Sequence, residues 1–259
     1  MSTTISSVTR LGAYEPFGLQ VSRNQIQGHT PIIVFGYNAD LDTSEESIWP
    51  NGGTVPHPTV ASVLKISSTS TDDAAAGTGA RTVFIEGLDG SFNVVNETVI
   101  LNGQTSVNTT KSYLYVNQFY VATVGDGGAN AGTINAGTGT VTSGVPAVLY
   151  DLIFTGFNQR TTAHYCVPAG YTGYMVTGVI TAGQASGSTS VTAYLKQHGT
   201  DNILRVGAVA TLNNGSIQYD FDPPYIIPEK NCVGVTAIGS ANNNSVSAFL
   251  NIILIKTGP

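Results

Sequence analysis

The chain predicts an all-β protein: two antiparallel β-sandwich modules behind an extended N-terminal arm. Three observations predict it. Short runs rich in Val, Ile, Thr, Tyr and Phe recur along the chain, separated by Gly, Asn, Asp and Pro turn residues. No stretch repeats its apolar residues at helical spacing over several turns. Charged residues are only 10% of the 259, against roughly 25% in an ordinary soluble domain. Neutral Ser, Thr, Asn and Gly therefore carry the polar surface. That suits a sandwich, or a protein whose surface is largely covered in an assembly.

Residues 1–60 read as an arm followed by an irregular segment. Leu11, Tyr14, Phe17, Leu19 and Val21 make the first 30 residues too apolar for a frayed tail. Residues 31–35 form a possible strand. Thr43-Ser44-Glu45-Glu46 matches a capping box and predicts one helical turn, ended at once by Pro50-Asn51-Gly52-Gly53.

The first module is placed at 61–145. Strands are expected over 62–66, 82–86, 98–101, 104–109 and 119–124. Residues 67–79 read as a loop, and 87–90 carry turn chemistry. Asn102-Gly103 tolerates positive φ at two successive positions, the requirement of a type I′ hairpin, so 104–107 reads as a returning strand. Residues 125–144 are Gly-rich, with one strand expected around 133–135.

The second module is placed at 146–259. Eight strand-like runs fill it: 147–154, 162–167, 174–181, 190–196, 203–210, 216–221, 232–238 and 246–255. In the fourth, Val191, Ala193 and Leu195 face a core while Thr192 and Lys196 face out. Pro223, Pro224 and Pro228 are expected between strands, where a missing N–H costs nothing. Eight short strands in one module suit a jelly roll.

Several function classes fall away. The net charge is −6 and no cluster of Lys or Arg occurs, so nucleic acid is not an expected partner. The longest apolar run, 249–255, is broken by Asn251 and falls short of the roughly 20 residues that span a bilayer, so no membrane role is expected. The N-terminus has no apolar export core, which implies synthesis and maturation in a reducing cytoplasm. Cys166 and Cys232 are then expected as free buried thiols, a bridge being the alternative. Two cysteines alone make no zinc site.

No residue set predicts catalysis, cofactor binding or a metal centre. His29, His57, His164 and His198 are scattered. Only His164, two before Cys166, shares a strand face with a possible co-ligand, and ordinary packing is the expectation. Gly125-Asp126-Gly127-Gly128-Ala129-Asn130-Ala131-Gly132 imitates a phosphate loop. Asn130 stands where the third glycine should fall, and no helix follows, so it reads as a flexible loop. Asp72-Asp73 and Asp220-Phe221-Asp222 are the better oxygen clusters for a cation, with solvated loop acid as the plain reading. Tyr37, Tyr113, Tyr165, Tyr171 and Tyr225 suit sugar stacking, interfaces or half-buried packing. The four Asn-x-Ser/Thr sites, at Asn96, Asn108, Asn214 and Asn243, are chance matches in a chain this rich in those residues.

Several phrases, in order, resemble a family of virion structural proteins of tailed phages, common in marine phages. They are Glu15-Pro16-Phe17 with Gln20-Val21-Ser22-Arg23, Phe35-Gly36-Tyr37-Asn38 running to Glu46-Ser47-Ile48-Trp49, and Ala74-Ala75-Ala76-Gly77-Thr78-Gly79-Ala80-Arg81. Then come Glu86-Gly87-Leu88-Asp89 and Glu97-Thr98-Val99-Ile100-Leu101-Asn102-Gly103. In the second module they are Tyr165-Cys166-Val167-Pro168-Ala169-Gly170 and Ile227-Pro228-Glu229-Lys230. Cys166 stands where a small polar residue would be expected. The resemblance implies a non-enzymatic, all-β virion component that is homo-oligomeric and contacts other virion proteins, capsid or tail subunits. A trimer or hexamer is expected because closed symmetry is the usual way to cover a lattice joint or ring. An external capsid decoration or cement protein leads. A tail or fibre-adaptor protein, or a host glycan-binding module, is the alternative. The arm would clamp a neighbour, so removing residues 1–30 should leave the fold intact and weaken assembly.

Overall fold

The computed structural model describes residues 15–183, 189–201 and 203–257. Leu11 and Tyr14 of the expected arm lie outside them. From residue 15 the arm is not extended. Pro16 pre-sets the entry to a six-residue helix, α1 (Phe17–Ser22), which seals Val21 completely from solvent. Its Phe17 meets the ring of His29 edge-on at 5.9 Å. A cut after residue 30 would thus remove α1, with its buried Gln20 and Val21, and the start of the next strand.

That strand, β1 (His29–Leu41), is longer than the possible strand at 31–35. The predicted helical turn at 43–46 does not form. Glu46 lies instead in β2 (Glu46–Ser47), its carboxylate accepting from the buried Asn38 side chain at 2.8 Å. Glu45 pairs with Lys196. Neither carboxylate remains to close a capping box.

Seven strands follow: β3 (Ser62–Ser68), β4 (Ala80–Leu88), β5 (Val94–Ile100), β6 (Val107–Tyr113), β7 (Tyr115–Val124), β8 (Ile134–Thr142) and β9 (Val145–Ile153). They form two antiparallel sheets, ordered β6-β3-β8-β9 and β5-β4-β7. Both sheets feed one core that includes Leu64, Ile66, Val83, Ile85, Val99, Phe119, Ile134 and Ile153. Each such residue gains about 1.5–3 kcal/mol over an exposed position. Residues 145–153 belong here, beside β8, and not to the second module as expected.

The hairpin expected at Asn102-Gly103 is absent. Gly103 does take a positive φ of 59°, but β5 pairs with β4 while β6 pairs with β3 in the facing sheet. The link therefore crosses between sheets. Glu97 of β5 ties the crossing together. Its carboxylate accepts from the backbone N–H groups of Thr110 (2.8 Å) and Lys111 (3.0 Å), the Thr110 hydroxyl (2.9 Å) and the Tyr113 hydroxyl (3.1 Å). Partial burial works to raise the Glu97 pKa, but these four donors outweigh it and hold the carboxyl below its ordinary value. A depressed carboxylate stabilises above the unfolded value of about 4.5 and loses that contribution as pH falls through the folded pKa. Thermal melts should thus show wild type losing stability more steeply than Glu97→Gln below about pH 4.5. At neutral pH the variant should be less stable by about 1–3 kcal/mol. Parallel pH profiles would exclude Glu97 as the clamp.

The Gly-rich segment after β7 is not a loose loop. Asn130 is buried and exchanges two 3.0 Å bonds with Asn158, backbone N–H to side-chain oxygen in both directions. Its amide also donates to the carbonyls of Gly132 and Phe154.

The remaining strands are β10 (His164–Cys166), β11 (Tyr171–Gly183), β12 (Val191–His198), β13 (Arg205–Leu212), β14 (Gly215–Ile227), β15 (Cys232–Gly239) and β16 (Asn244–Lys256). One sheet runs β1-β16-β11-β14. The other runs β10-β15-β12-β13, with β2 continuing the β10 edge. So β1, expected outside the modules, pairs along most of β16. Val34 and Leu41 join Met175, Val191, Ala193, Leu195, Val235, Leu250 and Ile252 in a second core fed by both sheets. The strict alternation of β12 holds as predicted. Pro223 and Pro224 fall within the span of β14, not between strands. They occupy a bulge between the pairs Met175–Tyr225 and Thr177–Asp220, on an edge strand with no further partner among the described residues to miss an N–H.

Candidate functional site

The two units meet at a cluster that sequence spacing did not reveal. In β10, Tyr165 turns into the second core, so His164 and Cys166 point out of the opposite face. In β15, Val233 turns inward and Cys232 outward. Cys166 and Cys232 are direct partners across β10 and β15, and Cys232 is the direct partner of His198 at the end of β12. Three neighbouring strands thus place Cys166, Cys232 and His198 in one row. The first unit covers it with Leu88, Phe92 and Tyr115. The two sulfurs are joined as a disulfide, with Cα atoms 3.9 Å apart. This corrects the expectation of free thiols, for their alignment depends on strand order, which spacing does not give.

Three of the four histidines converge here. His57 comes from the segment between β2 and β3 and stacks on His164, with centroids 4.4 Å apart. His198 lies 6.2 Å from His164 and nearly parallel to it. Tyr115 meets His57 at 4.9 Å. Burial lowers the pKa of all three rings. For His57, desolvation, then the neighbouring His198 and Arg160, push it down to about 3. For His164 burial is also the leading cause, followed by His57, His198 and Arg160. For His198 burial wins over the opposing charge of Asp201. The cluster is therefore a set of neutral imidazoles beside two sulfurs.

The β10 side of the cluster is hydrogen-bonded to the first unit. Asn117 of β7 accepts from the Cys166 N–H at 3.0 Å and donates to the Cys166 carbonyl at 2.8 Å. Arg160 donates to the carbonyls of Asn117 (2.8 Å) and His164 (3.2 Å) and pairs with the buried Asp151. A groove of about 340 Å³ leads from solvent to His57, His164 and His198, bordered by Glu45, Lys196 and Thr236.

The other candidates separate. His29 sits at the start of β1, away from the cluster. Asp126 and Asp72 are exposed loop acids. Asp73 is fully buried with four protein donors on its oxygens, which leaves it no cation to bind. Asp220 accepts from Gln218, and Asp222 precedes a cis proline. Tyr113 and Tyr165 are buried packing. The i, i+2 spacing of His164 and Cys166 was legible in the sequence. His57, His198 and Cys232 come from three further segments, and only the strand register joins them.

No family model matches the chain, and no curated protein matches it. Among solved structures, infectious bursal disease virus gives weak similarities. The structure of its Gx strain is 8% identical, over 89% of this chain and 76% of that one, with a TM-score of 0.23. The VP2 subviral particle is 9% identical, over 89% and 77%, with a TM-score of 0.20. A likeness this slight identifies no family. Among the described residues, no helix is long and apolar enough to cross a membrane.

Proposed function

We propose that the protein is a non-enzymatic structural component of a virus particle, and specifically an external decoration or cement subunit of a tailed phage. The observation that carries the reading is strand order. Take β1, β10, β11, β12, β13, β14, β15 and β16 in chain order as B to I. The two sheets of the second unit then read B-I-D-G and C-H-E-F. That is the order of an eight-stranded jelly roll, an architecture of viral capsid and lectin domains. On this reading the first unit is a sandwich inserted between strands B and C. Composition supports the same role, since a chain with 10% charged residues suits a surface largely covered in an assembly.

A surface for self-association lies along β13, an edge strand with one side unpaired among the described residues. Ile203, Leu204, Val206 and Val209 are 54%, 54%, 53% and 50% exposed. Exposed apolar edge strands invite pairing with another chain. A closed trimer or hexamer would cover them, with an obligate interface above about 2,000 Å². Light scattering on the purified protein should give such an oligomer. Val206→Asp combined with Val209→Asp should reduce it to monomer without changing the circular dichroism. A wild type that stays monomeric at every concentration would overturn the assembly reading.

A second reading, a host glycan-binding module, has one observation in its favour. A groove of about 320 Å³ between the units carries the half-exposed Phe35 and Tyr120 beside Gln118, Gln159 and Arg160. Specific binding on a glycan array, by a protein that does not oligomerise, would favour it.

A further inference from the structure

We propose that, once the Cys166–Cys232 disulfide is reduced, the two thiolates join His164 and His198 in holding a zinc ion, a Cys₂His₂ site at the junction of the two units. The side chains already converge. One ligand atom each from His164, His198 and Cys232 lie within 4.8 Å of one another. The His164 Nε2 stands 3.9 Å from the Cys166 sulfur. With Zn–S near 2.3 Å and Zn–N near 2.0–2.1 Å, tetrahedral ligands stand roughly 3.3–3.8 Å apart. Side-chain rotation closes the difference.

The placement follows from the sheet. Direct register partners share a face, so Cys166, Cys232 and His198 project together from three adjacent strands, and His164 joins them from two residues along β10. Asn117 and Arg160 tie β10 to the first unit, and strand pairing sets Cys232 and His198 beside it, so the ligand positions are set before an ion arrives. Sulfur and imidazole with no carboxylate in the set select zinc over calcium or magnesium. His57 stacks flat on His164 and orients that ring without ligating. The groove beside His57, His164 and His198 is the entry path. The sequence expectation paired only His164 with Cys166 and read them as packing; strand register adds Cys232 and His198.

The chemistry balances. An external thiol reductant donates two electrons and two protons to the S–S bond, leaving two thiols and the reductant's own disulfide. Zinc then displaces both thiol protons to solvent. The junction is thus closed by a covalent bond under oxidising conditions and by a metal under reducing ones.

The test uses the full-length protein kept reduced with a phosphine, supplied with zinc and freed of excess. Elemental analysis should find roughly one zinc per chain, and none in the oxidised protein. Cobalt(II) in its place should give thiolate-to-metal charge-transfer absorption in the near ultraviolet and a tetrahedral visible band. Cys232→Ser and His198→Asn should each weaken zinc binding at least ~100-fold, while His29→Asn should not change it. If a variant fails to fold, the cobalt spectrum of the wild type decides. A reduced protein that takes up no zinc, equal uptake with the disulfide intact, or a cobalt spectrum without charge transfer would each overturn the proposal.

Discussion

Arg160→Leu is expected to destabilise the protein by about 3–5 kcal/mol, because it strands a fully buried carboxylate. Asp151 of β9 is paired with the Arg160 guanidinium and also accepts from the Thr162 hydroxyl at 2.7 Å and the Leu152 N–H at 2.9 Å. Complete burial pushes the Asp151 carboxyl up, and the Arg160 charge and these hydrogen bonds oppose it. Arg160 also donates to carbonyls on β7 and β10, so its loss cuts a link between the two units. The melting temperature should fall on the order of 10 °C.

Two controls separate charge from packing. With Arg160 gone, the Asp151 pKa rises further above its unfolded value. A raised carboxyl costs stability as pH climbs through the folded pKa, so the variant should sit closest to wild type at acid pH. Asp151→Leu with Arg160→Met should recover part of the loss, since replacing both partners of a buried pair leaves no charge unpaired. A single variant that costs under about 1 kcal/mol would show that water reaches Asp151 and that the pair is not structural.

Strand positions were legible in the sequence, and strand partners were not. Val191, Ala193 and Leu195 announce a half-buried strand because alternation is local, and β12 keeps that pattern. Pairing is a property of distant segments. The run at 31–35 showed nothing of its partner, yet Phe35 lies opposite Phe249. Asn102-Gly103 satisfied the local demand of a hairpin, but Glu97 holds β5 and β6 across two sheets. The cluster at the junction failed for the same reason. His164 and Cys166 lie on one strand, so spacing exposed them. His198 and Cys232 become neighbours only when β12 and β15 pair. Asp73 stood beside an equally acidic Asp72, and nothing local distinguishes the buried one from the solvated one.

That buried aspartate carries the second large effect. Asp73→Ala should cost at least about 3 kcal/mol, because it leaves several buried donors without a partner at once. One oxygen accepts from the backbone N–H groups of Ala80 (2.7 Å) and Ala131 (2.8 Å). The other accepts from the Ser68 hydroxyl (2.5 Å) and the Gly132 N–H (2.9 Å). One carboxylate thereby joins the end of β3, the start of β4 and the Gly-rich segment before β8. Asp73→Asn keeps the shape but turns an N–H₂ toward two donors, so it should recover only part of the loss. Gly79 shows how closely the site is closed, for a Cβ there would stand 2.2 Å from the Asp73 carboxylate and 3.0 Å from the Ala131 nitrogen. Gly79→Ala should therefore destabilise through the same contacts, and combined with Asp73→Ala it should cost less than the sum of the two. Urea unfolding of the three variants measures this. Additive losses would show that Gly79 and Asp73 act separately, and a neutral Asp73→Ala would mean that water takes over all four bonds.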